Sequence, residues 1–277
     1  MNYRNMIVCL DDSAHSAKRL QFALELARRN GAHLTGLHLS YMPQTPYLAY
    51  DGVEPLFIRL EAELDKRQSA AREGFEAAAS AAGVSTGWLA ARSVDMEAII
   101  AFARVSDLII AGQPDPADTA TYIGEGFPGR FLLGVARPVL FTPFANPLKA
   151  SFDSIIVAWN GSREATRALR DAMPLLHAAA RVTVLTVRAE NWLGAGAVPL
   201  PDIAAYLERH GIVADVLENI THEDAGEWLL ARAENMDMPA DLIVAGGYGH
   251  SRLSELVLGG VTRTLLHEMN VPVLLSH

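Results

Sequence analysis

The sequence predicts an α/β protein of two tandem domains, each a doubly wound parallel sheet with a Rossmann-like layout. Three observations lead there. Short apolar runs rich in Val, Ile and Leu recur along the chain and stop in glycine or polar turns, as buried strands do. Stretches with apolar residues at helical spacing lie between them, and strands alternating with helices make parallel sheets with right-handed crossovers. The series then runs a second time.

In chain order, Met6–Leu10 (MIVCL) is the first strand, and Asp11-Asp12-Ser13 is a polar turn able to cap the next helix. That helix spans Ala17 to Arg29, with Leu20, Ala23, Leu24 and Ala27 as its apolar stripe and Asn30-Gly31 as its stop. Leu34–Leu39 is a second strand. Residues 41–53, with two prolines and three tyrosines, form a loop. A long helix from Pro55 to Ala82 carries Leu56, Leu60, Leu64 and Phe75 on its apolar side. Strands at Gly87–Ala91 and Asp107–Ala111 flank a helix at Met96–Arg104, and a helix at Gly129–Val135 precedes Pro138–Phe141. In the second run Ser154–Trp159, Val182–Val187, Val213–Leu217, Leu242–Ala245 and Pro272–Leu275 are strands. Leu169–Leu176, Glu227–Ala233 and Val261–Met269 are helices. The intervals Asp107–Arg137 and Asp241–Val271 are equal, so the two ends align without gaps. Domains at 1–145 and 151–277 follow, with Thr142–Ala150 as the linker.

Composition narrows the function. The net charge is −9 with no Lys/Arg run, which argues against nucleic acid as the main partner. The single cysteine, Cys9, sits inside an apolar run and reads as core. The first strand starts within the opening residues, and no apolar segment reaches the ~20 residues of a membrane span, so a cytoplasmic protein is expected.

The stretch Asp241–Thr264 carries the chemistry. Its apolar strand ends in Gly246 and Gly249; nine residues later Gly259-Gly260 opens the last helix. Glycines let backbone N–H groups approach an anion, and a helix N-terminus favours phosphate. This spacing, with a strand before it and a helix after it, resembles the nucleotide-binding signature of the universal stress protein family. There the motif continues with Ser or Thr; here Gly260 takes that place, and Thr262 keeps a hydroxyl close by. The resemblance implies five strands per domain in an order that reverses between first and fourth, an adenine nucleotide alpha hydrolase-like fold; because the family's fifth strands pair two domains edge to edge, it also implies that Pro138–Phe141 and Pro272–Leu275 could pair within this chain, covering both edges. Ligands of such sheets sit at the strand C-termini beside the reversal. It further implies an ATP site in the second domain with Mg²⁺, one nucleotide per chain. Gly246, Gly249, His250, Arg252, Gly259, Gly260, Val261 and Thr262 would face the phosphates. Asn160 would contact the adenosine part, and Ala158 and Val187 the adenine.

The halves are not equivalent. In the first, Gly112 matches Gly246, but Asp115 stands for Gly249, Glu125 for Gly259 and Pro128 for Thr262. Carboxylates there repel phosphate, and Pro114 lacks an N–H. The family's strand-end Asp survives as Asp11 in the first half and becomes Asn160 in the second. A first-half crevice with Asp11, Asp115 and Glu125 is a candidate place for a cation or small polar ligand.

Several bland readings stand beside these. Trp159 either stacks on a base or packs in the core. His250 either touches phosphate or caps a short helix opened by Ser251, and Arg252 either pairs with phosphate or stays exposed. Arg263 could assist the clamp. Glu223, Asp224 and Glu227 complement a helix dipole more simply than they make an acid–base pair. The glycines themselves can serve turns and close helix–strand packing alone. Gly124–Gly129 spells a dinucleotide fingerprint in the wrong place, and no Walker A, metal-ligand or nucleophile–base pattern occurs. The expectation is a nucleotide-dependent switch with little or slow hydrolysis. A slow ATP hydrolase and a nucleotide-free scaffold remain the alternatives, and association of two chains stays open.

Overall fold

A computed structural model of the chain describes residues 2–40, 54–92, 96–115, 117–118, 126–189, 200–221, 224–248 and 260–277. In the first half the elements are β1 (Asn5–Leu10), α1 (Ser16–Asn30), β2 (His33–Ser40), α2 (Glu54–Ala82), β3 (Thr86–Arg92), α3 (Met96–Ala103), β4 (Leu108–Gly112), α4 (Gly126–Val135) and β5 (Val139–Thr142). The second half has β6 (Ser154–Ala158), α5 (Arg163–Asp171), α6 (Met173–Leu176), β7 (Arg181–Ala189), α7 (Leu200–Arg209), β8 (Ala214–Thr221), α8 (Ala225–Glu234), β9 (Leu242–Gly246), α9 (Gly260–Glu268) and β10 (Val273–Ser276).

These strands make one ten-stranded sheet in the order β3-β2-β1-β4-β5-β10-β9-β6-β7-β8. Each half is parallel, and its order reverses between its first and fourth strands, as the resemblance implied. The halves join where β5 and β10 pair antiparallel, Leu140 opposite Leu274, so the expected pairing of the two fifth strands occurs within the chain. Central strands read as unbroken apolar runs because helices cover both faces. One face buries Met6, Val8, Ile155 and Val157 against α1, α5 and α7. The other buries Ile109, Phe131, Phe141 and Ile243 beneath α3, α4, α8 and α9. Each core cluster runs across the seam. The Tyr3 hydroxyl adds a bond from the first half to the Asp171 carbonyl of the second at 2.6 Å.

Local chemistry departs from the sequence reading in four places. The turn at Asp11–Ser13 does not cap α1: His15 holds the N-cap position with no side-chain bond, and the Asp11 carboxylate turns back to accept the Ser13 N–H at 3.0 Å. In the second half the equivalent Ser162 does cap α5, accepting from the Ala165 N–H at 3.1 Å. α4 begins at Gly126 rather than Gly129, because proline costs little in a first turn whose N–H groups have no helical acceptor. α5 likewise begins at Arg163, upstream of the expected Leu169. α7 was not foreseen, although Ile203, Tyr206 and Leu207 lie at helical spacing and pack on the core. The expected loop at 41–53 lies outside the described residues. Among the described residues, no helix is long and apolar enough to cross a membrane.

Candidate functional site

The reversal points place two crevices at the C-terminal ends of the strands, one between β1 and β4 and one between β6 and β9. In the second half, β6 stops at Ala158 and the Trp159 N–H continues the ladder to the Leu185 carbonyl at 2.8 Å. Asn160 is exposed; its side-chain oxygen accepts the Ser162 N–H at 3.1 Å and so shapes the turn into α5. Gly161, at φ +73°, supplies the left-handed residue that this turn requires. Ala158 and Val187 are half-buried on the same face as Trp228, Tyr248 and Val261. Trp159 points to the opposite face and is only 5 % exposed, in the core, with its indole N–H unpartnered.

The loop after β9 is held from three sides. At Gly246 a Cβ would lie 2.5 Å from the Ala165 backbone nitrogen, so α5 packs directly on this residue and admits only glycine. The packing reading of this glycine therefore has a structural cause of its own. Gly247 donates its N–H to the Ser276 carbonyl at 2.8 Å, and its own carbonyl lies 3.0 Å from the His277 Nδ1. Tyr248 is left-handed at φ +58°, unusual for a non-glycine residue. Its N–H donates to the Thr262 hydroxyl at 3.1 Å. Thr262, only 4 % exposed, thus pins the loop to the first turn of α9 through its hydroxyl oxygen, while its O–H remains a donor. Burial pushes the Tyr248 phenol up to about 12, and its hydroxyl has no partner among the described residues. Gly260 opens α9 and is exposed; Val261 is half-buried and Arg263 exposed. Gly249, His250, Arg252 and Gly259 lie outside the described residues.

Two carboxylates border this loop that sequence reasoning did not place there. Asp224 caps α8, accepting from the Gly226 and Glu227 N–H groups at 2.8 and 3.2 Å. Its second oxygen stands 3.4 Å from where a Gly260 Cβ would be, at the mouth of α9. Glu164, in the first turn of α5, lies against Gly246 and pairs with Arg163. Burial pushes its carboxyl up, but the Arg163 hydrogen bond, a backbone hydrogen bond and the charges of Arg163 and His277 together outweigh this and hold it below its ordinary value. The Gly-Ser-Arg-Glu turn (161–164) was the available signal for Glu164, through its α5 N-terminal placement.

The first-half crevice is built differently. Arg19, on α1, is 3 % exposed. Its Nε–H donates to the Cys9 carbonyl at 2.7 Å and its Nη2 to the Asp11 carboxylate at 2.6 Å. Burial raises the Asp11 carboxyl, while Arg19 and the Ser13 bonds lower it further than that, so it sits below its ordinary value. The Asp11 charge is therefore already neutralised, which removes the main ligand of the cation site suggested by sequence. Among the described residues no group of three or more His, Cys, Asp or Glu side chains is arranged to hold a metal. At the rim, Asp115 lies 3.4 Å from the His15 Nε2 and accepts the Ala117 N–H at 2.9 Å. Gln113 reaches across the seam to donate to the His267 carbonyl at 2.7 Å. A cavity of only about 50 Å³ remains, lined by Asp11, His15, Arg19, Gly112, Asp115 and Phe127 among others. Cys9 is buried, its thiol pushed up to about 12, as a core residue's would be. Glu125 lies outside the described residues.

Comparisons with known proteins agree with this architecture. The model of the universal stress protein family matches residues 2–134 and again 151–277. A universal stress protein from Archaeoglobus fulgidus DSM 4304 superimposes with a TM-score of 0.75 at 18% identity, over 98% of this chain and 95% of that one. A functionally unknown protein from Pseudomonas aeruginosa PAO1 does so with a TM-score of 0.58 at 18% identity, over 99% and 92%. At such identity these two speak for the fold alone. No curated protein matches the chain. Two family matches over one continuous sheet make the assignment: the chain belongs to the universal stress protein family, with two of its domains in tandem.

Proposed function

We propose that the second half binds ATP or a related adenine nucleotide at the C-terminal ends of β6 and β9, one per chain, as a conformational switch with little or slow hydrolysis. The observation that carries this reading is the bond from the Tyr248 N–H to Thr262. It ties the loop after β9 to the first turn of α9, which holds that loop beside a helix N-terminus, a place that favours an anion. Asn160, Ala158 and Val187 border the same crevice with a polar tip and two apolar sides, suited to an adenosine moiety.

Asp224 bears on the metal. A carboxylate at the mouth of α9 opposes a bare phosphate chain and suits a divalent cation carried with it. Mg²⁺, when bound, would neutralise phosphate charge; Asp224 is the side chain here fit to meet it. The same carboxylate favours a second reading, a nucleotide-free scaffold, if no cation accompanies the ligand. No nucleophile and base are paired in the crevice among the described residues, which supports slow rather than efficient hydrolysis. The family and the absence of a spanning helix among the described residues support a cytoplasmic setting.

The test is to denature the purified protein, clear the precipitate and chromatograph the supernatant for nucleotides. ATP or ADP near one equivalent is expected. An empty supernatant, followed by no heat on titrating Mg-ATP, would leave the scaffold reading. Gly259→Glu, which copies the first half's Glu125, is expected to abolish nucleotide binding while the domain stays folded. Unchanged affinity would refute the clamp. Phosphate release that disappears on substituting Gly249 would instead mark a hydrolase.

A further inference from the structure

We infer that the seam side of α3, α4 and α5 is a docking surface for an acidic, amphipathic helix of a partner protein.

The surface is built from exposed arginines that the fold gathers from three helices and both halves. Arg104, just past α3, donates from Nε and Nη2 to the Gly134 carbonyl of α4 at 3.1 and 2.9 Å. Arg137 returns the contact, its Nε–H reaching the Arg104 carbonyl at 2.7 Å. From the second half, Arg167 of α5 spans the seam to the carbonyls of Ala136 at 3.1 Å and His277 at 2.7 Å. Arg170 lies about one turn further along α5, and the charges of Arg167, Arg137 and Arg170 all act on the Asp171 carboxyl. Arg130, on α4, shares a helical stripe with Leu133, Gly134 and Arg137.

Helix capping accounts for only part of this. Carbonyls at the ends of α3 and α4 attract cations, but each helix end carries only about half a charge. Two such ends leave most of the arginine charge unmatched. Asp171 and Asp107, both beside Tyr3, are already engaged. Asp171 accepts the Ser276 hydroxyl at 2.9 Å, and Asp107 accepts the Arg4 and Asn5 N–H groups at 2.8 and 2.9 Å. Among the described residues, none of these arginines pairs with a carboxylate. The repeat shows, moreover, that the scaffold does not require them. With Asp11 set on Asn160 and Asp107 on Asp241, Arg167 and Arg170 fall on Lys18 and Gln21, and Arg130 and Arg137 on Thr264 and Val271. At that twin seam the neutral side chain of Gln113 serves the α9 carbonyl of His267 instead, at 2.7 Å. One seam surface is crowded with arginine, and its twin has a single lysine in their place.

So concentrated a positive field, on a chain of net charge −9, fits a partner that bears carboxylates. Guanidinium groups pair with carboxylates in bidentate fashion. Those of Arg104, Arg137 and Arg167 are already fixed by their carbonyl bonds, which lowers the ordering cost of binding. Leu133, 48 % exposed, sits between Arg130 and Arg137, and Val105, 73 % exposed, follows Arg104. Arg130 and Arg137 are about 10 Å apart along the stripe, two helical turns. Acidic residues seven apart on a helix, with apolar residues between them, match that spacing.

The probe is a fluorescein-labelled helical peptide with Glu at the ends of each seven-residue interval and Leu between them; a Lys-for-Glu copy is its control. Fluorescence anisotropy is read on the full-length protein at low and high salt. The acidic peptide is expected to bind, and at least tenfold more weakly at high salt; the Lys copy is expected not to bind. Arg130→Glu/Arg170→Glu changes two exposed side chains that hold no part of the fold, and is expected to weaken binding at least tenfold with an unchanged Tm. Arg72→Glu, on α2, should bind as the wild type does. Equal binding of the two peptides, undiminished affinity in the double variant, or an equal loss in Arg72→Glu would overturn the inference. So would tighter binding of a short DNA duplex or of phosphatidylserine vesicles, which would assign the arginines to phosphate instead. Should the double variant misfold, Arg130→Glu alone is read in the same way, with at least a threefold loss expected and no loss refuting the surface. The peptide readout needs no nucleotide, so its failure and that of the proposed function are distinguishable.

Discussion

Adding one methyl group at Gly112 tests the packing of the first crevice quantitatively. In Gly112→Ala the new Cβ would fall 1.7 Å from the Arg19 Nη1 and 2.8 Å from its Cζ, where ordinary contact needs well over 3 Å. The guanidinium must retreat by roughly 2 Å, and at that displacement it cannot keep bonds of 2.7 Å to Cys9 and 2.6 Å to Asp11. Separating a buried ion pair leaves an uncompensated charge and costs about 3–5 kcal/mol. In an Arg19→Ala background the obstacle is gone, and the same methyl fills vacated space at a cost below about 1 kcal/mol. A double-mutant cycle is therefore expected to show a coupling of at least about 2 kcal/mol, far outside the scatter of independent sites. Urea unfolding of the four proteins, followed by circular dichroism, measures it. If Gly112→Ala costs the same in both backgrounds, Arg19 does not lie on this glycine.

Other expectations follow from the same geometry. Thr262→Val keeps the shape but removes the acceptor for the Tyr248 N–H, so it is expected to cost about 1–3 kcal/mol and to speed hydrogen exchange at that amide; Thr262→Ser should restore the protection. Asp171 is held above the usual carboxylate value, mainly by burial, against the Ser276 bond that lowers it. Its charge therefore weakens the fold above that raised value, and the cost is relieved as pH falls through it. Asp171→Asn, which still offers an oxygen to Ser276, is expected to be neutral or stabilising by about 1 kcal/mol at pH 7, with the difference shrinking in acid. Asp11 has the opposite sign. Its folded value is depressed, so its stabilisation is complete above the ordinary carboxylate value and is lost as pH falls through the depressed one. Acid titration of Tm in Arg19→Ala should lack that component; an unchanged profile would contradict the assignment.

The strands were legible because their information is local. MIVCL, DLIIA, SIIVA and LIVAG are apolar on both faces, and only a covered parallel sheet accommodates that. The repeat showed two domains, while the strand order and the β5–β10 pairing were implied by the family resemblance and not by the residues themselves. Helix starts were harder, because a first turn asks little of its residues: proline is at ease at 128 in α4, and His15 begins α1 without a capping bond. The site was legible only where backbone carries it. Glycine at 246 was read for phosphate, yet the approach of α5 already demands it. For Thr262 the sequence shows a hydroxyl near the motif but not its partner, since a hydroxyl bonded to Tyr248 is a fact of three dimensions. Arg19 was hidden most deeply. In a helical wheel it reads as one more charged surface residue, and its burial follows from Asp11 and Cys9 on a different element. The clue lay in setting Arg19 beside Ala168 once Asp11 had been set beside Asn160.

The antiparallel seam also orders events during synthesis. β5 pairs with a strand made some 130 residues later, a contact whose loop-closure cost is met only when β10 has left the ribosome. Until then the first half can assemble β3-β2-β1-β4-β5 on its own, but with the outer rim of β5 bare and four residues that the finished protein buries, Val139 to Thr142, open to any other chain. The C-terminal segment thus acts as the protein's own chaperone for its N-terminal half. A nascent chain stalled or cleaved before residue 273 would be expected to stick to its neighbours rather than persist as a half-molecule.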